Sequence, residues 1–158
     1  MDDLVVARVL HVLGVVVWLG GLSLVTTALL PAIRRGELGS DWLAAFQAVE
    51  RRFSWQVRVA LIVVGGSGLY LIVQADLWER FRLREYWWMH AMVALWVLFA
   101  LGLFAVEPLL LDRHLPSWSR RRPAATFAWL ARVHWLLLLL SLVTLLGAVA
   151  GSHGWSIF

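Results

Sequence analysis

Apolar positions in this chain fall into four long runs, separated by short charged segments. The runs are Leu4 to Pro31, Phe53 to Ala75, Tyr86 to Leu111 and Ala124 to Ala150. Between Val9 and Ile33 there is no charged residue. At about 1.5 Å per residue, each run is long enough to cross a hydrocarbon core of about 30 Å as a helix. The pattern predicts an all-α integral membrane protein, one domain over residues 1–158, folded as an up-down-up-down four-helix bundle.

The connections are polar. Asp41 to Glu50 is an amphipathic piece expected to lie at the membrane interface with Trp42, Leu43 and Phe46 toward lipid. Asp76 to Glu85 reads as a tight charged turn. Asp112 to Pro123, with two prolines and Arg120-Arg121-Arg122, reads as a loop. Tryptophans near most span ends (Trp42, Trp55, Trp78, Trp87, Trp88, Trp118, Trp155) form the expected aromatic belt.

Composition agrees. Of 158 residues, 61% are hydrophobic, well above the roughly 45–50% of soluble domains, and the mean hydropathy is +0.78. Asp2 and Asp3 stand where a signal peptide would be basic, so the first span is expected to persist. Cysteine is absent, which excludes thiolate metal sites and thiol catalysis. All 14 basic residues are arginine. Eight lie in the first and third connections (Arg34, Arg35, Arg51, Arg52, Arg113, Arg120, Arg121, Arg122), against four at the other side (Arg8, Arg80, Arg82, Arg84). That asymmetry predicts those two connections in the cytoplasm and both termini outside. A net charge of +4 carried this way is a topology signal and gives no nucleic-acid footprint.

Within this frame the histidines carry the candidate chemistry. His11, Gly14, Trp18 and Gly21 share one helical face, and His90 lies about one turn inside the third span. Both are expected at similar depth on the outer side, on diagonal helices whose axes stand roughly 12–14 Å apart. Two inward imidazoles at that spacing suit the axial positions of a b-type haem. Gly14 would clear space beside His11. Arg8, one turn above it, and Tyr86, one turn above His90, would partner the propionates. The structural alternative is that each histidine simply bonds a carbonyl or hydroxyl of a neighbouring helix. His134 and His153 are alternate ligands, and His114 reads as solvated.

Other polar groups have plainer readings. Glu107 is expected to pair with Arg58 or Arg132, or to line a proton path or quinone-headgroup pocket. Gly65-Gly66-Ser67-Gly68 admits a close neighbour or cofactor. Gly147 and Gly151 form a GxxxG pair suited to homo-oligomer contact or to packing within the bundle. Met89, His90 and Met92 do not converge on one point of a helix, which weakens a copper site.

The stretch His11-Val12-Leu13-Gly14 with Trp18-Leu19-Gly20-Gly21-Leu22 resembles the opening helix of two membrane groups, the CopD-type copper-resistance domain and the HemJ-type protoporphyrinogen oxidase. Arg52-Phe53-Ser54, Ala60-Leu61 and Gly68-Leu69-Tyr70 resemble the second CopD-type helix. Tyr86-Trp87-Trp88-Met89-His90-Ala91-Met92 resembles the following helix in both, with Met92 where the HemJ-type pattern has lysine. The resemblance covers roughly residues 5–115. It implies a four-helix membrane fold and b-type haem near His11 and His90, and the haem site rather than a specific reaction is what carries over. The expectation is therefore a membrane cytochrome b for one-electron transfer, with a quinone or redox protein as partner, in the bacterial inner (cytoplasmic) membrane. HemJ-like porphyrinogen oxidation and CopD-like copper binding or transport are the alternatives.

Overall fold

The computed structural model describes residues 2–39 and 41–155, and the side chains of Asp2 and Asp112 lie outside the description. Described residues form helices joined by short turns. Helix α1 (Asp2–Leu24) passes through a π-helical turn (Val25–Leu29) into α2 (Leu30–Arg34). Helix α3 (Trp42–Gln74) follows, then two 3-10 turns (Trp78–Arg82 and Arg84–Tyr86). Helix α4 (Trp87–Leu101) continues through a π-helical stretch (Gly102–Leu111) into α5 (Asp112–Arg121), and α6 (Pro123–Ser152) completes the described helices. Four helical segments are long and apolar enough to cross a membrane: Asp3–Arg34, Trp42–Gln74, Arg84–Leu111 and Pro123–Ser152.

These segments outlast the bilayer, and their exposed side chains show where the apolar zone stops. Within the four segments, large exposed hydrophobic residues run from Val5 to Leu24, Trp55 to Val73, Val93 to Leu110 and Trp129 to Val149, and Leu38, Trp78, Leu83, Trp118 and Trp155 are exposed outside these intervals. Each interval spans about 25–30 Å at helical rise, the thickness of a hydrocarbon core. At the arginine-rich end the helices bury a second core of Leu30, Ile33, Phe46, Leu115 and Leu130, with Trp42 and Phe127 meeting edge to face at 5.5 Å. The Asp41–Glu50 piece is therefore the first turns of α3. Phe46 is 3% exposed and faces this core, not lipid. The expected Asp112–Pro123 loop is likewise helical to Arg121, because Leu115 and Ser119 find burial. Asp41 starts α3 by accepting the Ala44 N–H at 3.0 Å.

Inside the apolar zone the main core joins all four spans through Trp18, Leu22, Ala60, Leu61, Leu95, Phe99 and Leu138. Trp18 meets Phe99 edge to face at 4.8 Å across the bundle. Glycines set the seams. A Cβ on Gly14 would lie 2.7 Å from Val64 Cγ2, and one on Gly21 would lie 3.1 Å from Phe53. The gap beside His11 is thus filled by α3, which is why α1 and α3 approach so closely. On the other seam, Gly147 and Gly151 lie under Trp87 and Trp88 of the same chain. The close approach they permit is made within the bundle.

A proline stands at or near each π-helical stretch, Pro31 two residues past the first and Pro108 inside the second. A proline ring crowds the carbonyl four residues back and supplies no N–H, and widening the helix relieves the crowding.

Candidate functional site

Three polar places stand out among the described residues. The first is on the seam between α1 and α3. His11 lies on the buried stripe of α1 with Trp18, and its ring rests on Gly68, whose absent Cβ would be 3.0 Å away. Its Nδ1 is 3.1 Å from the Val64 carbonyl oxygen and 3.3 Å from Ser67 Oγ. A carbonyl only accepts, so Nδ1 carries the proton, which fixes the tautomer and leaves a lone pair on Nε2. Ser67 Oγ donates to the Val63 carbonyl. The sequence expected either a ligand here or a histidine held by a neighbouring helix, and this hydrogen bond is the second arrangement.

The second place is at the end of the bundle that holds the described start of α1 and end of α6. His90 is two residues past Trp88, about 200° round α4, while Leu95 and Phe99 share the buried face of Trp88. His90 is therefore exposed and turned away from the bundle interior. Its ring meets Phe81 of the connecting turn edge to face at 5.2 Å, and no hydrogen bond to it is present among the described residues. Phe81, Arg82, Leu83, Arg84, Trp87 and His90 line an open recess of about 400 Å³. Arg82 also reaches Glu79 at 3.0 Å.

The two histidines expected to reach inward together do not: His11 is held against α3, and His90 is exposed and turned from the bundle interior. Trp18 and Phe99 mark one level. His11 is about 10 Å and His90 about 14 Å from it, toward the same end. The disagreement is one of rotation: seven residues bring His11 back onto the face of Trp18, whereas nine carry His90 round to the far side of α4 from Phe99. Of the other expected haem contacts, Arg8 is exposed, Gly14 is covered by Val64, and Trp18 is core. Tyr86 lies against Trp88 at 6.0 Å and beneath Arg80 at 5.1 Å. His153 is exposed, with Nδ1 2.8 Å from the Val149 carbonyl. His134 is half-buried, with Nδ1 2.9 Å from the Leu130 carbonyl and its ring edge-on to Phe46. His11 is thus held against α3, while His90 faces the recess that also carries Arg82 and Arg84, and no group of three or more His, Cys, Asp or Glu side chains placed to hold a metal ion is present among the described residues.

The third place is a buried charge cluster near the arginine-rich end. Glu107 is 7% exposed. Ser54 Oγ lies 2.7 and 2.9 Å from its two carboxylate oxygens, and Arg58 Nη2 donates to Oε1 at 2.9 Å. Arg58 also donates through Nε and Nη2 to the Leu103 carbonyl at 3.2 and 2.9 Å. Leu103 is five residues before Pro108, the carbonyl that a π-helical ladder would pair with the missing proline N–H. Arg58 supplies that donor instead. Of the two pairings expected for Glu107, the Arg58 one is formed, and Arg132 is exposed.

Sequence reading missed Phe81, Arg82 and Arg84 as neighbours of His90. The alternation of apolar and basic residues in Phe81-Arg82-Leu83-Arg84 was the available sign. Outside the spans, the Arg35 guanidinium holds the Glu37 carboxyl below the usual carboxylate range by hydrogen bonding. Two buried indole donors, Trp18 Nε1 and Trp88 Nε1, have no acceptor among the described residues. No protein-family model, curated protein or solved structure matches this chain.

Proposed function

We propose that this chain is an integral membrane haem protein, an up-down-up-down bundle that holds b-type haem in the recess beside His90 and exchanges single electrons with a quinone or a redox protein. The arginine asymmetry favours that recess on the outer side of a bacterial inner membrane. The observation that carries the reading is His90: an exposed imidazole with no hydrogen bond among the described residues, set beside aromatic rings and two arginines.

Each residue has a separable task. His90 would offer a ring nitrogen to iron. Arg84 and Arg82 would hold carboxylates through charge-assisted hydrogen bonds, with Glu79 competing for Arg82. Phe81 and Trp87 wall the recess and limit water. Bound there, haem supplies one-electron cycling of its iron, tuned by its axial ligand and its burial. His11 keeps its proton on the Val64 carbonyl and holds α1 to α3.

Titrating purified protein with hemin tests this. A saturable Soret band is expected, and the double substitution Arg82→Gln with Arg84→Gln should weaken hemin binding about tenfold, the order of one charge-assisted contact at a wet site. A protein that develops no band at any hemin concentration overturns the reading.

A further inference from the structure

The bilayer boundary at the arginine-rich end carries a feature that does not depend on haem. Arg51 and Arg52 stand one turn before Trp55, where the exposed apolar side chains of α3 begin. On α6, Arg132 stands between Trp129 and Trp135. All three arginines are exposed, and the three tryptophans are 67%, 45% and 45% exposed. Guanidinium groups and indoles thus alternate on two spans near the arginine-rich ends of their exposed apolar stretches.

We propose that this girdle binds anionic phospholipid, with arginine forks on the headgroup phosphate and indoles at the glycerol level. The geometry favours this occupant over solvent because a planar guanidinium matches phosphate oxygens in bidentate fashion, while an indole prefers the interface. Charge complementarity selects anionic over zwitterionic lipid, since the phosphate of phosphatidylcholine arrives with its own cation. Near this boundary, the Glu107 carboxylate is buried and held by Arg58 and Ser54.

The test is lipid partition in nanodiscs made from equal parts phosphatidylglycerol and phosphatidylcholine, with the retained lipid measured by native mass spectrometry. Wild-type protein should retain phosphatidylglycerol about fivefold over phosphatidylcholine, the order expected for one net arginine contact at a membrane surface. The enrichment should fall severalfold between 50 and 500 mM salt. The triple substitution Arg51→Gln, Arg52→Gln, Arg132→Gln should bring the ratio to about one, and the corresponding lysine triple should keep part of it. A wild-type ratio near one, a ratio indifferent to salt, or a glutamine triple that folds and keeps its preference overturns the proposal. The salt series on wild-type protein decides the matter even if the glutamine triple does not fold.

Discussion

Arg58→Leu should lower the unfolding free energy by about 3 kcal/mol, the lower end of the range for breaking a buried ion pair, because the Arg58 side chain is a quarter exposed. Two losses coincide. Glu107 keeps Ser54 but loses its cation, and the Leu103 carbonyl loses the donor standing in for Pro108. Glu107→Gln should cost less than Glu107→Leu, since an amide still bonds Ser54 and Arg58. The double variant Arg58→Leu with Glu107→Leu should cost clearly less than the sum of the singles, since neither charge is then stranded. Thermal unfolding in detergent, followed by circular dichroism, measures all four. Additive costs would show that the two residues do not act as a pair.

Gly151→Leu should be the most damaging single change on the seam between α4 and α6. Even a Cβ there would meet Trp88 Nε1 at 2.1 Å, and at the neighbouring Gly147 it would meet Trp87 at 2.6 Å. Trp88 is 9% exposed, so its indole has little room to give. Overpacking of this kind costs about 1–3 kcal/mol, and leucine, much larger than a Cβ, belongs at the upper end. Gly20→Ala is the matched control: nothing lies within 4 Å of its Cβ position. Alanine there should be neutral or stabilising by up to about 1 kcal/mol through helix propensity. Equal melting temperatures for Gly151→Leu and wild type would contradict the packing described for this seam.

The fold was legible because a bilayer imposes a length and a polarity on whatever crosses it. Four runs gave four spans, and the ionisable groups inside them had to find partners, which is how the Arg58–Glu107 pair could be anticipated. Two features were hidden for one reason. The run from Leu4 to Pro31 does not say where lipid ends and a second protein core begins, since Leu30 and Ile33 are as apolar as Val12 and Val16. Only exposure separates them. Phe46 was assigned to lipid on the same footing and belongs to that second core. The rotation of His90 was legible in principle, since Trp88, Leu95 and Phe99 mark one face of α4 and His90 falls opposite. Depth alone said nothing about direction. Gly14 shows the limit of reading a glycine as vacant space: what it leaves open is taken by Val64.

The most direct test of the central claim is a hemin titration of His90→Ala beside His11→Ala, read as Soret absorbance in otherwise identical preparations. A single ligand in the recess beside His90 predicts that the His90 variant loses the band while the His11 variant keeps it with little change in affinity. Loss of the band in His11→Ala, with His90→Ala unaffected, would contradict the account.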